Sequence, residues 1–254
     1  GIPFFFDYKN NQSDLERKIF ENFDLNLSFT SKVKYNIFPS PRLNLKNVEI
    51  LSFSESSKNI GSVKKVILKI PFKRLVSLKK LDFDSIELID AAINIKISEI
   101  NNFKNYLNNR VREKPIQLTK SKINLLNKTK LLFNIDIKKL RISGKSLFNK
   151  LDLKGRIFDT KIEINYQNKN FNKNSEKNVE IWLPEIGLNS KLSINPDKKN
   201  NETIYGRVSV FFPSNQIYLD YILRNKIFNI SSSRLTNNYF KGQLFGDLIL
   251  FPFS

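Results

Sequence analysis

The sequence predicts a mainly β protein built on antiparallel sheet, and three observations carry that reading. Hydrophobic residues recur at every second position in segment after segment. Clusters of Asn, Lys, Ser and Pro separate those segments as turns do. Helical spacing is confined to three short stretches. At 254 residues, with 40% hydrophobic and 26% charged residues, the chain is long and apolar enough to bury a core of its own.

Taken in order, Gly1 to Phe6 (GIPFFF) reads as the tail of an apolar segment. Six residues cannot cross a bilayer, which takes about 20. The expectation is a membrane anchor upstream, in line with the absence of methionine from the whole chain. SDLERKIFENF follows, with Ser13 and Glu16 at capping-box spacing and Leu15, Ile19 and Phe23 on one face of a short helix. Lys46 and Asn47 interrupt the alternation of RLNLKNVEI, where Leu43 and Leu45 give way to Val48 and Ile50, so a bulge is expected there. SVKKVILKI supplies Val66, Leu68 and Ile70, and PFKRLVSL can form one turn behind Pro71.

AAINIKI presents Ala91, Ile93, Ile95 and Ile97, and SEINNFKNYLNNRV returns to helical spacing through Ile100, Phe103, Tyr106 and Leu107. LLFNIDIKKLRI alternates through Phe133, Ile135 and Ile137, then shifts parity to Leu140 and Ile142. TKIEINY gives Ile162, Ile164 and Tyr166. The same two-residue rhythm continues in NVEIWL, SKLSI, GRVSVFF, QIYLDYIL, KIFNISS and GQLFGDLIL. Strands with one apolar and one charged face make a sheet with one wet side and one side that needs a cover. The polar run Asn168 to Asn178 is expected to be a mobile loop within a single domain spanning residues 1–254. A pattern of strand, KN or KK, strand with a parity shift recurs in LNLKNVEI and IDIKKLRI.

Several chemistries are excluded by composition. The chain has no histidine and no cysteine, which removes thiolate nucleophiles, imidazole bases and zinc sites that need either ligand. Its eight glycines form no phosphate-binding loop. Asp82 and Asp84 in LDFDS lie two apart on one strand face, the spacing of a solvated surface. Asp136, Glu163, Glu180 and Asp220 fall at polar strand positions, and Trp182 reads as packing. No catalytic residue, metal site or cofactor is expected. The formal net charge of +19 raises nucleic acid or anionic membrane as partners. Saturation with Lys, Asn, Ile and Phe is also the mark of an AT-rich genome, and no compact basic stripe interleaved with aromatic residues is visible.

VKYNIFPSPRLNLKNVEIL resembles the N-terminal signature of the AsmA family, an aromatic-Pro-x-Pro-x-Leu element entering a strand. IGSVKKVILKIPFKRLVSLKKLDFDSIELIDAAINI is similar to that family's next strand, turn and strand. YFKGQLFGDLILFPF is similar to its recurring glycine-bounded strands. The resemblance covers about Leu15 to Ile97, and the membrane segment and long C-terminal part of the family are missing. It implies an elongated, curved sheet with an open, chorein-like apolar groove, anchored in the inner membrane and facing the periplasm of a Gram-negative bacterium. The function implied is phospholipid binding and bridge-like transport in support of outer-membrane assembly, with no enzyme activity and no nucleic acid.

The partners implied are phospholipids, the inner membrane through the missing anchor, and outer-membrane or periplasmic assembly proteins. Candidate groove residues are Leu43, Leu45, Val66, Leu68, Ile70, Ile93, Ile95, Ile97, Ile135, Ile162, Ile164, Val208 and Val210. Arg42 suits a lipid phosphate at the groove rim; it equally suits a strand-entry residue that pairs with a carboxylate or covers a turn. The competing functions are a structural or interaction module for outer-membrane protein assembly, with its β core closed, and a nucleic-acid binder.

Overall fold

The computed structural model describes residues 12–51, 59–72, 82–100, 114–145, 148–171, 174–197, 202–225 and 227–249. They hold one α-helix and sixteen strands, so the protein is mainly β. The chain divides into two compact units, Gly1–Ser146 with Gly155–Asp159, and Leu147–Lys154 with Thr160–Ser254.

The first unit opens with α1 (Gln12–Phe23), which buries Leu15, Ile19 and Phe23. Ser13 lies inside the helix rather than capping it. Glu16 reaches outward instead, accepting from the Gln12 side chain at 3.0 Å and from the Phe29 N–H at 3.2 Å. Asp24, at φ 56°, ends the helix in the left-handed region and returns its N–H to the Phe20 carbonyl at 2.7 Å. β1 (Leu27–Phe29) and β2 (Lys34–Asn36) both pair with β3 (Arg42–Leu51). The sheet continues through β4 (Asn59–Lys69), β5 (Ser85–Lys96), β6 (Ile116–Asn127) and β7 (Lys130–Lys145). β1 and β7 do not pair, so this sheet is open.

One pairing departs from the antiparallel expectation: β5 and β6 run parallel. A parallel pair needs a crossover of a dozen or more residues, and residues 97–115 supply it, entering through a 3-10 turn at Ile97–Glu99. The helix expected beyond Ile100 and the turn expected beyond Phe72 lie outside the described residues. Asp82 and Asp84 precede β5 rather than sharing a strand face. Asp82 accepts from Lys114, which also donates to Asn22, so the Lys114 ammonium, at the entry of β6, ties α1 to the entry of β5.

The parity shift at Asn47 is part of a larger feature. β3 and β4 keep one register through it, Lys46 opposite Lys65 and Val48 opposite Val63, and slip only between Ile50 and Leu51. A bulge in one strand would shift the register; here each neighbour carries the same extra residue at the same height. The registers align Asn47, Lys64, Asp90, Lys120 and Lys138 across five strands. Asn47, Asp90 and Lys120 have φ of 50°, 54° and 50°. Ser121 satisfies the interrupted ladder by accepting from the Ala91 N–H at 3.0 Å. Both halves of each strand therefore direct their apolar residues to one face.

β8 (Phe148–Ile157) contributes residues to both units. The second unit is a meander of β9 (Thr160–Phe171), β10 (Asn174–Leu183), β11 (Leu188–Pro196), β12 (Thr203–Phe212), β13 (Asn215–Arg224) and β14 (Ile227–Asn237). β15 (Lys241–Gly242) and β16 (Gly246–Ile249) both pair with β14. Asn168 to Asn178 is a hairpin of two strands, not a loop: Lys177 stands opposite Asn168 and Glu176 opposite Lys169. A backbone ladder needs no apolar side chains, so polar composition concealed the strands.

Candidate functional site

The two units treat the same alternating pattern differently. Among the described residues every buried apolar side chain except Leu153, Ile162 and Tyr221 belongs to the first unit. There Leu43, Leu45, Val66 and Leu68 are 0% exposed. Phe23 of α1 lies against Phe83 with ring centroids 6.3 Å apart, and Leu25, Leu27 and Phe29 are buried beside them. The groove candidates Leu43, Leu45, Val66, Leu68, Ile70, Ile93 and Ile95 are thus buried in the core of this unit. The cover thins along β6 and β7, where Ile135 and its partner Ile123 are half-buried. Ile97 is exposed at the end of β5.

In the second unit two rows of apolar positions are left half-exposed. One row crosses six strands through Ile164, Ile181, Ser190, Val210, Ile217 and Leu235, each opposite the next. The adjacent row runs through Tyr166, Val179, Leu192, Val208, Leu219 and Ser233. All the apolar members are intermediate in exposure. At about 4.8 Å between strands, each row is about 24 Å long, more than the ~15 Å depth of one bilayer leaflet. Of the groove candidates, Ile164, Val208 and Val210 stand on this face, and Ile162 is buried beside it. Val179, Ile181, Leu192, Ile217, Leu219 and Leu235 complete it. Their signal lay in the same alternation of NVEIWL, SKLSI, QIYLDYIL and, for Leu235, the continuation of the KIFNISS strand.

One end of the face is closed. Gly206 sits opposite Tyr221, whose ring lies over the glycine. The Tyr221 hydroxyl donates to the Ser193 carbonyl at 3.3 Å, and its ring stacks on Phe228 at 4.6 Å. Burial pushes the Tyr221 and Tyr166 phenols above the ordinary tyrosine range.

The opposite face of these strands is polar and carries three ion pairs between neighbouring strands. Lys154 meets Glu163 at 2.9 Å, Lys191 meets Glu180 at 3.2 Å and Arg207 meets Asp220 at 2.6 Å. Asp136 of the first unit meets Lys122 at 3.2 Å. The four carboxylates expected at surface positions are there, each paired across strands. Trp182 lies on this polar face, half-buried, because it alternates with Ile181 and Leu183. A groove of about 980 Å³ runs over the polar face, lined among others by Ser209, Tyr218, Arg234 and Lys241.

Arg42 donates to the Phe38 carbonyl at 3.2 Å and so braces the turn that leads into β3. Among the described residues no three carboxylates gather into a group able to hold a metal, and no helix is long and apolar enough to cross a membrane. The sequence matches no family model and no curated protein.

Proposed function

We propose that the chain is a non-catalytic lipid-binding module that holds phospholipid acyl chains on the apolar face of its second unit, as part of bridge-like phospholipid transport supporting outer-membrane assembly. The observation that carries this reading is the pair of half-exposed apolar rows across β9 to β14. A soluble domain ordinarily covers such a face, and a contiguous uncovered one marks a binding surface. The resemblance of residues 15–97 to the AsmA family supplies the rest of the proposal: the periplasmic face of the inner membrane as the location, and assembly proteins as further partners.

The energetics suit passage better than storage. A tail lying on an open face is covered on one side only, so each methylene recovers about half of the ~0.8 kcal/mol of full burial. The face lowers the cost of leaving the bilayer without trapping the lipid. Native mass spectrometry of the gently purified protein, followed by lipid extraction, tests this. The expected result is bound phospholipid that is lost on Val208→Asp or Val210→Asp, with folding retained. A lipid-free protein that also fails to take up labelled phospholipid would contradict it.

A second reading, a structural or interaction module with a closed core, is favoured by the first unit, where seven of the thirteen groove candidates are buried. It predicts the lipid-free outcome.

A further inference from the structure

We infer that the outer face of the first unit is a docking surface for an anionic lipid bilayer. The inference rests on that unit alone and stands or falls independently of the lipid-carrying role of the second.

The aligned parity shifts leave two consecutive outward residues in every strand from β3 to β7, where simple alternation would leave one. Six of those ten positions are lysine. One cross-strand row reads Lys46, Lys65, Ile89, Thr119 and Lys139, and the next reads Asn47, Lys64, Asp90, Lys120 and Lys138. Six lysines are thus brought together from positions up to 93 residues apart in the chain. Asp90 is the single carboxylate in the two rows, 3.9 Å from Lys64. Among the described residues Lys46, Lys65, Lys120, Lys138 and Lys139 have no carboxylate within ion-pair distance.

A lysine-rich composition alone does not account for this. The polar face of the second unit comes from the same lysine-rich chain, yet there Lys154, Lys191 and Arg207 each stand opposite a carboxylate. The compact basic stripe invisible in the linear sequence is assembled by the register. Partners of opposite charge are favoured by such a surface.

Three features favour a bilayer over nucleic acid. The basic rows contain no aromatic side chain on which a base could stack. They present lysine, a compact point charge, rather than the arginine fork suited to individual phosphates. At one end of the same sheet, where Arg42 stands opposite Lys69, Phe38 is 85% exposed and Phe72 is 62% exposed. Basic residues beside exposed aromatic ones are the composition of surfaces that settle at a membrane interface.

Vesicle co-sedimentation tests this, using phosphatidylcholine vesicles with and without about 30 mol % phosphatidylglycerol. The expected result is binding to the anionic vesicles only, weakening as salt rises from about 50 to about 300 mM. Each lysine near an anionic surface contributes about fivefold, so Lys65→Gln/Lys120→Gln/Lys138→Gln should bind roughly a hundredfold more weakly. Lys154→Gln/Lys161→Gln/Lys191→Gln, which removes the same charge from the second unit, should stay within about threefold of the parent. All six positions are exposed or half-exposed, and circular dichroism verifies that both variants fold. Equal losses in the two variants, or equal binding to neutral vesicles, would overturn the inference. So would tighter binding to a single-stranded oligonucleotide at the same salt that the first variant abolishes, since the rows would then serve nucleic acid.

Discussion

The apolar faces of the two units are written in the same alternating code and end in opposite states. In the first, Leu43, Leu45, Val66 and Leu68 are sealed; in the second, Ile164, Ile181, Leu192 and Val208 stay half-exposed. Period-two alternation specifies that a strand has a greasy side. It does not specify what lies on that side. Phe23 and Phe83, which help to close the first face, are 60 residues apart in sequence and come from a helix and the approach to a strand.

The comparison is broken most forcefully by the same truncation on both faces. Leu45→Ala removes a fully buried side chain and should cost about 2–5 kcal/mol. Leu192→Ala, on the open face, should cost about 1 kcal/mol or less, because its side chain already meets water. Chemical denaturation of the two variants checks this, and similar losses would mean the second face is covered after all.

Gly206→Ala should come next. A Cβ there would fall inside contact distance of the Tyr221 ring and the Ser193 carbonyl oxygen. Since one of those atoms is backbone, the strand must shift, at a cost of about 1–3 kcal/mol. The Tyr221 ring should lose its place on Phe228, and near-ultraviolet circular dichroism would report the loss.

The smallest effect is a dependence on pH. Burial raises the Tyr221 phenol above its unfolded value, so the unfolded chain ionises first as pH rises. Stability from this group is full below about pH 10 and declines as pH climbs through the unfolded and then the folded value. The denaturant midpoint should therefore fall less between pH 8 and about 10.5 in Tyr221→Phe than in the parent.

Much of the strand content was legible because alternation is local. The helix at Leu15, Ile19 and Phe23 was legible for the same reason. The parallel pairing of β5 and β6 was not, since direction depends on a crossover whose path no strand encodes. Nor was the hairpin at Asn168 to Asn178, where polar side chains hid a backbone ladder. The parity shifts at Asn47 and Lys138 could be seen one by one, but their alignment into a single line is a property of register. For the candidate site, alternation placed Ile164, Val208 and Val210, which are half-exposed, in one apolar class with the groove candidates of the first unit. It could not separate them from Leu45 or Val66, because exposure is decided by what packs on top.

The most direct test of the central claim is photocrosslinking to phospholipid along β12, with a photoreactive residue placed in turn at 207, 208, 209 and 210 during expression. Val208 and Val210 stand on the apolar face, and Arg207 and Ser209 on the polar one. Adducts are expected at 208 and 210 and at neither 207 nor 209. Adducts at 207 and 209, or no adduct at any of the four, would contradict it.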